Sequence, residues 1–175
     1  TPSAKTNTII YVGRFSHLTQ LKNPHLLIES FRKIHSQLPK WELVLAGGTG
    51  VGTLGSEMTK LQNAAKGLKV RIVPNPSLEN LKKLYARARI FWSAAGLGAN
   101  EAADPIKVEH FGITVVEAMS AGCVPIIPRL GGHKEIVTSG TDGFFYDSLD
   151  QLEDLTLKLA KDKPEMDRLS TSAIS

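Results

Sequence analysis

The chain alternates short apolar runs with segments that have helical spacing. The apolar runs, rich in β-branched and aromatic residues, are TIIYVG, WELVLAG, VRIV, IFWS, CVPII and FFY. Between them, residues 23–38 repeat apolar side chains on one helical face, namely Leu26, Leu27, Phe31, Ile34 and Leu38. Strands that are apolar along their whole length and separated by helices are typical of a parallel sheet covered on both faces. The sequence therefore predicts an α/β fold with a doubly wound parallel sheet.

Helix ends can be predicted from residues that cap or interrupt helices. Asn23 is predicted to cap the first helix with Pro24 at its first position, and Ser77 to cap a helix over residues 79–88. Further helices are predicted at residues 56–66, 114–121 and 147–162. The residues after Lys161 are predicted to be a polar tail.

Composition limits the classes of function. The 175 residues, 42% of them hydrophobic, suffice for one well-packed domain, residues 1–175. Lys and Arg exceed Asp and Glu by 21 − 17 = 4, which suits an anionic ligand or a membrane surface, but the cations are scattered, so no nucleic-acid partner is predicted. The single cysteine, Cys123, cannot form an internal disulfide and favours a reducing compartment. With no signal core and no run long enough to span a membrane, a cytoplasmic location is the default expectation.

A glycine motif offers one candidate function. Residues 50–55 read GVGTLG, and Gly50, Gly52 and Gly55 match the dinucleotide-binding pattern GxGxxG. The motif follows the second predicted strand rather than the first, starts several residues beyond it, and meets no acidic residue at the distance that ribose binding needs. A surface loop is the favoured interpretation, and an NAD-binding oxidoreductase domain remains the alternative.

Two cations lie near the end of the first predicted strand. Arg14 is in the loop that follows it, and Lys22 immediately precedes the predicted N-cap of the first helix. Ligands of doubly wound sheets bind at the carboxyl ends of the strands, where helix N-termini favour anions. The pair can therefore bind a phosphate, or can be two solvated surface cations.

Two glutamates flank the start of a predicted helix in the stretch EHFGITVVEAM. Gly112 and Ile113 present backbone N–H groups at that helix start, and Glu117 lies one turn inside. Glu109 precedes the helix. Carboxylates beside a phosphate site are suitable acceptors for sugar hydroxyls. In the alternative interpretation, Glu117 only stabilises the helix N-terminus through the helix dipole, and Glu109 is solvated.

Several ordered motifs resemble one family. EHFGITVVEAMSAGCVPII, followed by GGHKEIV and GTDGFFY, is similar to the C-terminal half of glycosyltransferase family 4, whose members are retaining enzymes with the two-domain GT-B fold. Upstream, VGRFSHLTQLKNPHLLIESF and LENLKKLYARARIFWS resemble the same family. The resemblance covers residues 10–146 and implies a Rossmann-like sheet, one half of a GT-B fold.

The resemblance also implies site residues. Arg14 and Lys22 match the basic pair that contacts the donor diphosphate, and they would neutralise the leaving group without a metal. Glu109 matches the residue that holds hydroxyls of the transferred sugar, and Glu117 the one that binds the nucleotide ribose. Main-chain contacts to sugar and phosphate would come from Gly112, Ile113 and Thr114. Val73 and Pro74 correspond to backbone that borders the base.

The expected ligand is a UDP- or GDP-linked sugar that acts as substrate, with no cofactor and no metal. The expected reaction is transfer of a hexose to a lipid-linked or polysaccharide acceptor, with the protein cytoplasmic or peripheral at a membrane face. An N-terminal acceptor domain is expected to be absent from this chain, so the domain would be inactive alone. The chain departs from the family pattern in the spacing of Arg14 and Lys22, in an insertion at 94–108 that can form a lid or an acceptor wall, and in the PNP sequence at 74–76. A nucleotide-sugar epimerase of GT-B-like fold and a non-catalytic binding module remain alternatives.

Overall fold

The computed structural model describes residues 4–15, 21–50, 55–107 and 112–175. In this part of the chain, strands and helices alternate along the sequence. The strands are β1 (Thr8–Val12), β2 (Glu42–Gly47), β3 (Val70–Pro74), β4 (Ile90–Trp92), β5 (Val124–Pro128) and β6 (Phe144–Tyr146). The helices are α1 (Pro24–Ile34), α2 (Gly55–Ala65), α3 (Leu78–Arg87), α4 (Ile113–Ser120), α5 (His133–Ile136), α6 (Leu149–Lys161) and α7 (Lys163–Ile174).

The described strands form one sheet in the order β3-β2-β1-β4-β5-β6, and every neighbouring pair is parallel. The chain winds outward from β1 in one direction and from β4 in the other. The prediction of a doubly wound, Rossmann-like parallel sheet is confirmed. The strand order reverses between β1 and β4, and in sheets of this kind a ligand crevice opens there, outside the carboxyl ends of the strands.

Side chains of each strand alternate between two buried layers. Ile9 and Tyr11 face the layer that contains α1 and α6, whereas Ile10 and Val12 face the layer that contains α3 and α4. Both sides of the inner strands β1, β4 and β5 are buried, and these strands are mainly apolar instead of alternating with polar residues. The edge strand β3 is only partly buried and carries the exposed Arg71. Helices therefore cover both faces of the sheet, as the sequence predicts.

Two glycine-containing strand ends lie unusually close together. A Cβ added at Gly47, the last residue of β2, would collide with the carbonyl oxygen of Gly13 just beyond β1. Backbone cannot move aside as a side chain can, so position 47 accepts only glycine in this arrangement. A Cβ at the neighbouring Gly48 would have room.

The N-terminus of α1 differs from its prediction in one respect. Asn23 precedes Pro24, as expected, but its side chain makes no capping hydrogen bond to α1. The backbone of Asn23 is left-handed, with φ of 52°, and its side-chain amide donates to the carbonyl oxygens of Ala94 (3.1 Å) and Leu97 (3.0 Å). Asparagine tolerates this conformation better than most residues, so the side chain is used for a tertiary contact instead of a cap. Ser77 does cap α3, accepting from the backbone N–H of Asn80.

The prediction of a polar tail after Lys161 is wrong. This segment forms α7, which buries Met166, Leu169 and Ala173. Met166 and Leu169 belong to the α1 and α6 layer, and Ala173 belongs to the α3 and α4 layer. The helix therefore packs against both layers of the core.

Candidate functional site

The loops that leave β1 and β4 are joined by hydrogen bonds at the point where the strand order reverses. The N–H of Leu21 donates to the carbonyl oxygen of Lys107 (3.1 Å), and the N–H of Gly96 donates to the carbonyl oxygen of Leu21 (2.6 Å). The side chain of Asn23 adds its two bonds to the same loop. Lys22 lies between these contacts, so its backbone is held at the crevice, while its role toward a ligand stays a prediction.

Arg14 lies on the same edge of the sheet, two residues beyond β1. It is exposed, and its backbone carbonyl accepts a hydrogen bond from the hydroxyl of Tyr11 (3.0 Å). The next residue is fixed by a bond from the N–H of Phe15 to the carbonyl oxygen of Gly48 (3.1 Å). Both predicted cations thus follow β1 at the carboxyl edge, and residues 16–20, which separate them, are outside the described residues.

The N-terminus of α4 forms the second part of the site. The helix begins at Ile113, one residue before the predicted start, and Gly112 is its N-cap with φ of 61°. A Cβ at Gly112 would meet the end of the Ile136 side chain in α5, which would have to shift, and the positive φ by itself favours glycine at this position. The first N–H groups of a helix have no acceptor within it, so those of Ile113 and Thr114 are suited to an anionic ligand.

Glu117 lies one turn into α4 and contacts a tyrosine of the neighbouring helix. The hydroxyl of Tyr85 in α3 donates to Oε2 of Glu117 (3.0 Å) and lies 3.4 Å from the carbonyl oxygen of Thr114. The carboxylate is exposed, whereas Tyr85 is only 5% exposed. Burial, and then the negative charge of Glu117, raise the pKa of Tyr85 far above its usual range, so its hydroxyl remains a donor.

A groove of about 420 Å³ runs between α3 and α4 beside this contact. Leu78, Leu81 and Val116 provide its apolar walls, and Glu117 and Lys82 its charged groups. Val73 and Pro74, which the resemblance places beside a base, end β3 at the carboxyl edge just before α3. An apolar groove with a few polar groups is the usual form of a small-molecule site.

Glu109, the second predicted carboxylate, falls in residues 108–111, which are outside the described residues, so its role stays a prediction. The glycine motif is only partly described because Gly52 is also outside them. Gly50 lies beyond β2, and Gly55 begins α2, so α2 starts well after the strand ends at Gly47. This is not the tight turn that dinucleotide binding requires, and the NAD-binding alternative gains no support.

The inserted loop contacts the segment that follows β5, which the sequence does not reveal. Oε1 of Glu101 accepts from the N–H of Gly131 (3.0 Å), and Oε2 lies 2.7 Å from Nζ of Lys134. These contacts lower the pKa of Glu101, chiefly through the bond from Lys134. Together with the bonds to Leu21, they attach the loop on both sides of the crevice. The loop is therefore fixed beside the crevice, and its role as a lid or an acceptor wall stays a prediction.

His133 is another site residue that the sequence did not single out, although it stands within the motif GGHKE. It is fully buried, and its Nδ1 is 3.0 Å from the carbonyl oxygen of Pro128. A carbonyl can only accept, so Nδ1 carries the proton. The ring lies beside the N-cap of α4, since a Cβ added at Gly112 would be 3.6 Å from its Cδ2 atom.

The sequence predicts Tyr85 only as a position within the helix over residues 79–88. Its contact with Glu117 joins residues that are 32 positions apart, and it depends on how α3 packs against α4. No local spacing pattern encodes such a contact.

The described residues lack two kinds of feature. They contain no group of three or more His, Cys, Asp and Glu side chains arranged to hold a metal ion. They also contain no helix with the length and apolar character needed to cross a bilayer.

Comparisons with known proteins agree on one family. The family model described as glycosyl transferases group 1 matches residues 1–175. A GDP-mannose:cellobiosyl-diphosphopolyprenol alpha-mannosyltransferase from Komagataeibacter xylinus is 31% identical over 138 residues, which is 78% of this chain and 31% of that protein. The chain therefore matches about a third of the length of this curated relative.

Solved structures show the same fold. Anabaena HepE, in a crystal structure with UDP and glucose, matches 97% of this chain and 43% of its own, with a TM-score of 0.77 and 18% identity. The C-terminal domain of LpcC, a glycosyl transferase group 1 family protein from Francisella tularensis, matches 97% of this chain and 84% of its own, with a TM-score of 0.74 and 17% identity.

Proposed function

Since the chain belongs to the glycosyl transferases group 1 family, we propose that it is the donor-binding domain of a retaining glycosyltransferase. The donor is a hexose linked to UDP or GDP, and residues 1–175 form a single nucleotide-sugar-binding domain. The relative from K. xylinus is named for GDP-mannose, and the HepE structure contains UDP. These names support a nucleotide sugar as donor and leave the base to experiment.

One observation carries the proposal. The loops after β1 and β4 are hydrogen-bonded to each other at the reversal of strand order, and Lys22 lies within the joined segment. The N-terminus of α4 follows β4 along the chain, and Glu117 lies one turn inside that helix. A cation, free helix N–H groups and a carboxylate at one edge provide partners for a diphosphate and for sugar hydroxyls.

The proposed roles follow from this chemistry. Arg14 and Lys22 neutralise the diphosphate as it leaves, and the N–H groups at the start of α4 assist them. Glu117 accepts from ribose hydroxyls, and Glu109 accepts from hydroxyls of the transferred sugar near the reacting carbon. The diphosphate departs on the face from which the acceptor approaches, so the configuration at that carbon is retained.

Transfer requires more than this domain. The matched relative is roughly three times longer than the aligned part, and we propose that a second domain supplies the acceptor site across the cleft. The name of that relative contains a lipid-linked diphosphate acceptor, which makes a membrane-bound acceptor the first class to test. The chain alone is expected to bind donor and not to transfer sugar.

Calorimetric titration of the purified chain with UDP, GDP, ADP and their sugars tests the proposal. We expect binding of either UDP or GDP to the unaltered chain, and loss of about 10-fold or more in affinity in Lys22→Ala and Glu117→Ala, because each loses a charge-assisted bond. Lys40→Ala and Glu29→Ala are matched controls, since both residues are exposed and outside the site.

A folded sample that binds no nucleotide would contradict the proposal. Binding that is equally weakened by the control variants would point to nonspecific charge effects. Nucleotide consumption without an acceptor would favour the epimerase alternative, and a ligand indifferent to Glu109→Ala would favour a non-catalytic module.

A further inference from the structure

The contact between Tyr85 and Glu117 joins a buried group to an exposed one. Tyr85 lies in the α3 and α4 layer and is 5% exposed, while the Glu117 carboxylate reaches solvent at the groove. An unrestrained glutamate on a helix surface samples several rotamers, and ordering it on ligand binding costs conformational entropy. A hydrogen bond of 3.0 Å from a fixed donor removes part of that freedom before the ligand arrives.

Tyr85 is itself held in place by its surroundings. Its ring packs in the core cluster that also contains Ala88, Val115 and Ala118. Its backbone carbonyl oxygen lies 3.3 Å from Sγ of Cys123. The donor therefore moves little, and its direction is set by the packing of α3 against α4.

The bond leaves the carboxylate able to accept further donors. Of the two carboxylate oxygens, Oε2 is the one that accepts from Tyr85, and a carboxylate has about four lone-pair positions on its two oxygens. Lys82 is the cation that lines the same groove. The raised pKa of Tyr85 keeps its proton in place over the neutral and mildly alkaline range.

We propose that Tyr85 is a positioning residue for Glu117, whose carboxylate it orients toward the ribose hydroxyls of the donor nucleotide. This inference rests on the proposed function. It predicts that the hydroxyl of Tyr85 contributes to affinity only when the ligand has ribose hydroxyls and when Glu117 is present. A residue with a purely structural role would affect all ligands alike.

The test measures dissociation constants of UDP, GDP and their 2′,3′-dideoxy counterparts for the chain, Tyr85→Phe, Glu117→Ala and the double variant. Tyr85→Phe keeps the ring and removes only the hydroxyl. We expect it to weaken ribonucleotide binding about 3- to 10-fold, as loss of one hydrogen bond to a charged group would, and to leave dideoxynucleotide binding unchanged. The double variant is expected to bind ribonucleotides with the same affinity as Glu117→Ala, because the effects of coupled residues on affinity are not additive.

Tyr146→Phe is the matched control. Tyr146 is a buried tyrosine whose hydroxyl donates to the carbonyl oxygen of Ser93 (2.6 Å), with no contact to Glu117. It is expected to lower stability without changing the preference for ribonucleotides.

Three results would overturn the inference. These are an unchanged ribonucleotide affinity in folded Tyr85→Phe, an equal loss for ribo- and dideoxynucleotides, and additive effects in the double variant. Each of them leaves the proposed function standing if Glu117→Ala still loses ribonucleotide affinity. Absence of any nucleotide binding by the unaltered chain would overturn both.

Discussion

Lys5 joins the carboxyl ends of α3 and α4. Its Nζ atom lies 2.7 Å from the carbonyl oxygen of Ala88, just after α3, and also contacts the carbonyl oxygen of Ala121, just after α4. The last carbonyls of a helix have no partner within it and carry partial negative charge. One ammonium group thus satisfies two helix ends at the edge of the sheet opposite the candidate site.

We expect Lys5→Met to lower the free energy of unfolding by about 1–3 kcal/mol, because it keeps the aliphatic length but removes the ammonium donor from both helix-end carbonyls. Urea denaturation measures the change. Lys40→Met, at an exposed position before β2, should change stability by less than about 0.5 kcal/mol. Equal effects of the two substitutions would mean that the contacts of Lys5 contribute nothing.

Cys123 predicts a loss of stability at alkaline pH. Burial raises the pKa of its thiol from 9.0 to about 11 in the native state. Between those values the native protein therefore retains this proton while the unfolded chain releases it. The contribution of the thiol to the free energy of unfolding is complete below pH 9 and disappears as pH rises toward 11. We expect the stability difference between the chain and Cys123→Ala to shrink over that interval.

Chemical denaturation at pH 7, 9 and 10.5 checks this dependence. Tyr85 and Lys5 also have shifted pKa values, but both proteins contain them and burial is the largest cause of each shift, so the difference between the proteins reports mainly the thiol. A stability difference that stays constant from pH 7 to 10.5 would show that the thiol titrates normally.

Asn23 combines an unusual backbone conformation with two tertiary hydrogen bonds. Asn23→Ala should lower stability by about 2–3 kcal/mol, since it strains a residue with positive φ and removes the donors to Ala94 and Leu97. Asn23→Gly relieves the strain and should cost about 1 kcal/mol less. Guanidinium unfolding of both variants separates the contributions, and equal losses would exclude a backbone effect.

Gly47 and Gly48 form a natural pair for testing the close approach of β1 and β2. Gly47→Ala places a methyl group against the carbonyl oxygen of Gly13 and should destabilise by about 2 kcal/mol or more. Gly48→Ala has space around its Cβ and should remain within about 1 kcal/mol of the unaltered chain. Thermal unfolding of the two variants gives the comparison, and a milder effect at position 47 would contradict the geometry.

The sequence predicts the sheet well because each strand is recognisable from the apolar residues of its own short segment. Runs such as those around Ile10 and Val44 are apolar on both sides, which only a doubly covered sheet explains. The sequence fails where polar residues dilute an apolar pattern. In α7, Met166, Leu169 and Ala173 have helical spacing, but the serines and threonines among them obscure it.

The candidate site likewise has features that the sequence predicts and features that it does not. Lys22, Gly112 and Glu117 could be placed from motifs because they stand beside strand and helix ends. The contacts of Tyr85 and Asn23 could not be predicted, because their partners are distant in the sequence and are brought near only by tertiary packing. Glu109 remains a prediction from resemblance.

The dual packing of α7 has a consequence for how the domain opens. Met166 and Leu169 anchor it in one layer and Ala173 in the other, and it also contacts α4, α6 and β5. Neither layer can separate from the sheet while this helix stays bound. The most protected amide hydrogens of α1 and α4 should therefore exchange with deuterium at a common opening free energy, as one cooperative unit rather than as two.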